Sequence, residues 1–129
     1  MVAKSLSDIG NKDTKDLLVN VSLSPASGAS ATTKLLDGVS GKRIVVTSLN
    51  EWHVQMAGSA DVAASWKSGT TALTGPIRFT NAYDGLTASY MPDGHFKTAA
   101  GEDLNLTLTN NSGSSAAIQV DGFLNYYIE

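Results

Sequence analysis

The stretch Asp103-Leu104-Asn105-Leu106-Thr107-Leu108-Thr109 puts three leucines on one side and Asn and Thr on the other. Alternation this strict suits a half-buried strand and no helix, because successive strand side chains point to opposite faces whereas a helix repeats about every 3.6 residues. Other phrases of the chain share the rhythm. Leu17 to Leu23 sets Val19, Val21 and Leu23 on one face, and Thr32 to Leu36 is a shorter strand closed by Asp37-Gly38. The longest strand, Ile44 to Met56, opens with Ile44-Val45-Val46, apolar on both faces as expected of a strand covered from two sides. It then alternates Trp52, Val54 and Met56 with Glu51, His53 and Gln55.

Val62 to Lys67 aligns Val62, Ala64 and Trp66. Ala72 to Phe79 contains Gly75-Pro76, and proline lacks a ladder donor, so this strand belongs at an edge or at a bulge. Leu86 to Tyr90 and His95 to Thr98 are short. Ala117 to Ile128 closes the chain with Ile118, Val120, Gly122, Leu124, Tyr126 and Ile128 in one register, and Asp121-Gly122 is placed for a bulge. About eight strands at short spacing predict an all-β fold, a two-sheet antiparallel β-sandwich of the jelly-roll kind. The 129 residues make one such domain, residues 17–129, preceded by a flexible polar N-terminal arm over residues 1–16.

Composition then excludes several classes of function. A net charge of −3, with nine Lys and Arg scattered along the chain, argues against a phosphate-backbone binder, so nucleic acid is not an expected partner. Zero cysteines remove disulfides, thiolate catalysis and Cys-based zinc sites. No stretch approaches the ~20 apolar residues of a membrane-spanning helix, and no membrane partner is expected. Met1 to Asp8 lacks the apolar run of a signal peptide, which points to synthesis in a cytoplasm.

No catalytic, cofactor or metal residues are expected. Glu51/His53 and Asp93/His95 each hold a carboxylate two residues from a histidine, but polar residues on a strand face and in a turn account for both. Asp84-Gly85, Asp93-Gly94 and Asp121-Gly122 lack the following carboxylates of a calcium loop and read as turn or bulge dipeptides. Gly28-Ala29-Ser30-Ala31-Thr32 lacks the last glycine of a nucleophile elbow. Trp52 and Trp66 share faces with small or aliphatic residues, which assigns both to the core rather than to a sugar-stacking platform. The chain reads as a protein that binds rather than an enzyme.

Four segments carry a resemblance. They are Gly41 to Val46, Ala64 to Ile77, Pro92 to Leu106 (Pro-Asp-Gly-His-Phe-Lys-Thr-Ala-Ala-Gly-Glu-Asp-Leu-Asn-Leu), and Val120 to Tyr127. Together they resemble small phage virion proteins with a TNF/C1q-like jelly roll. The resemblance implies a homotrimer on the capsid surface of a virion, made in the host cytoplasm and bound between subunits of the major capsid protein as a decoration or cement protein. It also implies aromatics of the trimer type near the threefold axis, for which Tyr90, Phe123 and Tyr127 are the interface candidates. The alternative is a fibre- or tail-associated module that binds a host surface or glycan through the loops Asn81 to Asp84 and Asn110 to Ser114.

Overall fold

A computed structural model describes residues 14–56, 61–80, 84–111 and 118–129. Ten strands follow one another: β1 (Lys15–Leu23), β2 (Ser30–Leu36), β3 (Ile44–Met56), β4 (Val62–Ser68), β5 (Thr71–Ala72), β6 (Ile77–Phe79), β7 (Gly85–Ala88), β8 (Phe96–Lys97), β9 (Leu104–Asn110) and β10 (Ile118–Ile128). They form two five-stranded antiparallel sheets. Sheet A has the order β1-β10-β3-β7, with β8 also pairing β3, and sheet B has β2-β9-β4-β5, with β6 also pairing β4. The described residues contain no helix. The chain is thus an all-β, two-sheet antiparallel sandwich consistent with a jelly roll.

The alternation read from the sequence decides which side chains meet between the sheets. On β9, Leu104, Leu106 and Leu108 are fully buried while Asn105 and Thr109 face outward. Val62, Ala64 and Trp66 of β4, and Val120 and Leu124 of β10, point the same way inward. Burying a large aliphatic or aromatic side chain contributes about 1.5–3 kcal/mol. At the centre, Trp52 from sheet A meets Trp66 from sheet B, ring centroids 5.1 Å apart and planes at 70°. Phe96 closes on the other side of Trp66 at 5.7 Å. Edge-to-face packing of this kind sets the positive rim of one ring against the negative face of another.

Two local departures from regular pairing make room for the tryptophans. The β10–β3 register shifts between Asp121 and Phe123, the bulge expected at Asp121-Gly122. A β-carbon on Gly122 would sit 2.8–2.9 Å from the Trp52 ring, so only glycine lets β10 cross there. Trp52 Nε1 then donates to the Phe123 carbonyl at 2.8 Å. Opposite this bulge, Glu51 takes a left-handed φ of 52° where β3 also slips against β7.

Val45 explains the doubly apolar opening of β3. Ile44 and Val46 face the core, whereas Val45 faces outward and is nonetheless fully buried. The segment 91–98 runs alongside β3, with Met91 N donating to Thr47 O, His95 N to Val46 O and Thr98 N to Ile44 O. Gly94 packs so closely on Val45 that a β-carbon would stand 2.3 Å from its Cγ1, and its φ of 85° also calls for glycine.

Some elements differ from the sequence reading. The strand expected over 72–79 is two short ones, β5 and β6, separated around Gly75-Pro76, because the chain leaves the ladder before the proline. This split adds one strand to the count. Strand β1 begins at Lys15, so Lys15 and Asp16 pair with Tyr126 and Asn125, while residues 1–13 of the expected arm lie outside the described residues.

Two stability measurements test this packing. Gly122→Ala should cost about 1–3 kcal/mol in urea unfolding through overpacking against Trp52. Gly75→Ala, where a β-carbon meets nothing within 4 Å, should stay within about 0.5 kcal/mol of the parent. Equal stabilities for the two variants would refute the Gly122–Trp52 contact. The tryptophans differ in turn, since buried Trp66 Nε1 has no hydrogen-bond partner. Trp52→Phe, which strands the Phe123 carbonyl, should destabilise by roughly 1–3 kcal/mol more than Trp66→Phe, which removes an unsatisfied donor.

Candidate functional site

The outer face of sheet B carries a row of side chains set by strand register. Ser30 on β2 opposes Thr109 on β9, Thr109 opposes Ala63 on β4, and Ala63 opposes Arg78 on β6. Ser30 Oγ and Thr109 Oγ1 lie 2.6 Å apart, and one row along, the Thr32 and Thr107 hydroxyls lie 2.8 Å apart. Ala63 is the one member of the first row too small to stand up from the sheet. Its neighbours therefore border an open, shallow recess of about 590 Å³, lined by Asp61, Ala63, Pro76, Arg78, Thr109 and Asn111.

Each wall of the recess has a reason to be where it is. Arg78 lies between Ile77 and Phe79, which face the core, so alternation turns it outward. There its Nε donates to Asp61 Oδ1 at 3.3 Å and its Nη2 to Asp61 Oδ2, a two-point ion pair with the Asp61 side chain 31% and the Arg78 side chain 59% exposed. Asp61 is held from behind, its carbonyl accepting from Asn111 N at 2.7 Å. That bond also brings Asn111 to the rim. Asn110 beside it is buried, with Nδ2 donating to Pro25 O at 3.0 Å, and anchors the start of the loop. The recess thus presents one carboxylate, one guanidinium, a hydroxyl and an amide around an apolar patch of Ala63 and Pro76. It has no general base–nucleophile pair, and no group of three His, Asp or Glu able to hold a metal occurs among the described residues.

The residues singled out from sequence fall elsewhere, with one exception. Asn111, from the loop Asn110 to Ser114, lines the recess, while residues 112–114 lie outside the described residues. Of the loop Asn81 to Asp84, residues 81–83 also lie outside them, and Asp84 Oδ2 accepts from Thr80 N at 3.0 Å. His53 stands opposite Asp121 and Gly85, whereas His95 Nε2 is 2.6 Å from Ser89 O beside Val46, seven residues and roughly 20 Å away along β3. No shared histidine site forms.

Of the three interface candidates, Phe123 is 44% and Tyr90 43% exposed. Tyr127 is only 5% exposed, although it faces away from the core beside Val45. In the single chain its ring packs within the fold. Burial, then the charge of Glu129, then those of Asp93 and Tyr90, push its phenol above the ordinary value. Phe123 opposes Leu18 on β1, which is 65% exposed, and the two form an apolar island on the outer face of sheet A. Polar partners surround it: Asn125 Nδ2 donates to Asp16 Oδ1 at 2.7 Å, and Gln119 Nε2 to Asp121 Oδ1 at 3.1 Å.

Sequence reasoning passed over Asp61, Ala63, Pro76, Arg78 and Thr109. Their association comes from the β4–β6 and β4–β9 registers, which set Ala63 beside Arg78, 15 positions on, and beside Thr109, 46 positions on. The available signal was Arg78 alone between two apolar residues of a short strand.

No protein-family model matches the chain, and no curated protein does. Among solved structures, the chain is similar to the EclA C-terminal domain, described as a sugar-binding protein, at 16% identity and a TM-score of 0.45, over 87% of this chain and 78% of that one. A family two carbohydrate esterase from Cellvibrio japonicus is similar at 12% identity and a TM-score of 0.38, over 88% of this chain and 33% of that one. At these scores neither likeness bears on function.

The Tyr127 environment has a measurable consequence. A phenol whose folded value lies above its unfolded one keeps its proton in the native state while the unfolded chain loses it. Its contribution to stability is complete below pH 10.0, the ordinary value, and is lost as pH rises through the folded value. Alkaline unfolding curves should show this loss, Tyr127→Phe should diminish it, and an identical pH slope in the two proteins would contradict the assignment.

Proposed function

We propose that this protein is a recognition module that binds glycan through the recess on sheet B and carries out no bond-making step. The observation that carries the reading is the two-point Asp61–Arg78 pair standing over the Ala63 floor, with Thr109 and Asn111 beside it. A sugar ring presents hydroxyls that each donate and accept, so it is held by carboxylate, guanidinium, amide and hydroxyl groups set close together. Its C–H face needs apolar surface, supplied by Ala63 and Pro76. Ala63, Arg78 and Thr109 sit on strands, and Asp61, Pro76 and Asn111 each adjoin a strand end, which restrains their spacing before a ligand arrives and lowers the cost of ordering them.

A glycan array followed by titration calorimetry on the best hits tests this. Arg78→Ala and Ala63→Leu, one removing donors and one filling the floor, should each weaken binding by about tenfold or more, with thermal stability close to the parent. Full affinity in both variants would move the site elsewhere.

A second reading places the same module on a virion, as a homotrimer bound to the major capsid protein. The apolar island of Leu18 and Phe123 favours it, because paired exposed apolar side chains on an otherwise polar sheet face suit contact with another protein. Binding to shells that lack the protein, abolished by Leu18→Asp with Phe123→Asp, is the expected result. Absence of shell binding would remove this reading and leave the recess untouched.

A further inference from the structure

We infer that the recess selects neutral saccharides with adjacent hydroxyls over acidic ones, and that ligand meets Asp61 and Arg78 as one unit. This rests on the glycan reading above and goes on to the chemical class. The lining holds one positive and one negative side chain, already joined to each other, and the other four residues carry no charge. Asp61 occupies the Nε and Nη2 edge of the Arg78 fork, leaving N–H donors at Nη1 and Nη2 directed away from the pair.

One hydroxyl arriving at the pair can accept from those N–H groups while a neighbouring hydroxyl of the same sugar donates to a lone pair of Asp61. An adjacent hydroxyl reaches the second partner, Asn111 or Thr109, across the same floor. Nothing in the existing pair has to break. A carboxylate on the ligand can only accept. It gains Arg78 but meets the Asp61 carboxylate at comparable range, so the two Coulomb contributions oppose each other while its hydration is lost. The ion pair thereby works against acidic sugars as well as for neutral ones, since juxtaposed like charges are a general means of rejecting a wrong ligand. The other cations of this face do not offset the repulsion. Lys34 is bound to Asp37 at 2.6 Å, and Lys67 lies two positions beyond Ser65 on β4, away from Asp61.

Titration calorimetry should compare neutral methyl glycosides and oligosaccharides with uronate and sialylated counterparts, on the parent, Asp61→Asn and Arg78→Lys. Neutral ligands should bind the parent about tenfold or more tightly than their acidic counterparts, with affinity unchanged between low and high salt. Asp61→Asn keeps the shape but leaves Arg78 uncompensated, so it should narrow or invert that preference and make acidic binding salt-dependent. Arg78→Lys keeps the charge but loses the fork, and should weaken neutral ligands without favouring acidic ones. Circular dichroism checks that the variants remain folded. A parent that binds acidic glycans as well as or better than neutral ones, with loss in Arg78→Ala, overturns this inference alone. An unchanged preference in Asp61→Asn does the same. Failure of every saccharide to bind overturns the glycan reading with it.

Discussion

The contact between Trp52 and Trp66 ties the two sheets together, and the position of the candidate site follows from it. Trp66 points inward because its ring fills the space beside Trp52 and Phe96. Strand geometry then leaves no freedom on β4: Ala64 and Val62 also point inward, and Ala63 and Ser65 point out. A slip of one residue would bury Ala63 and expose a tryptophan, at a cost of several kcal/mol in lost burial. The core therefore determines that the smallest outward residue of β4 sits between Thr109 and Arg78. A depression in sheet B is the consequence.

Sheet A accommodates the same pair of rings differently. Its two central strands both depart from regular pairing near Trp52, β10 at Gly122 and β3 at Glu51, and the indole N–H takes up the Phe123 carbonyl that the irregularity leaves available. Phe123 itself is turned outward by this arrangement, next to Leu18. Further along the same face Gly94 packs on Val45, and both Val45 and Tyr127 are buried, so the outer side of sheet A is part core and part surface. The two faces thus offer different chemistry: hydroxyls with an ion pair on sheet B, and an apolar island within amides and carboxylates on sheet A.

Much of the fold was legible because its signals are local. The leucines of β9, the long register of β10 and the doubly apolar start of β3 each state their burial in consecutive residues, and Gly122 in an apolar register marked its bulge. Strand β5–β6 was misjudged because proline was placed within a strand rather than between two. The site was hardly legible at all. Asp61 and Arg78 are ordinary surface residues until the β4–β6 pairing sets them together, and Ala63 matters only for what it lacks. Tyr127 shows the converse: alternation gave its outward face, but not that the residue is buried there.

Amide chemical shifts recorded during titration with a neutral oligosaccharide test the central claim most directly. The account predicts shifts concentrated at Asp61, Ala63, Arg78, Thr109 and Asn111, with Leu18, Asn50 and Phe123 on the opposite sheet unmoved. Shifts confined to the sheet A residues, with the sheet B recess silent, would contradict it.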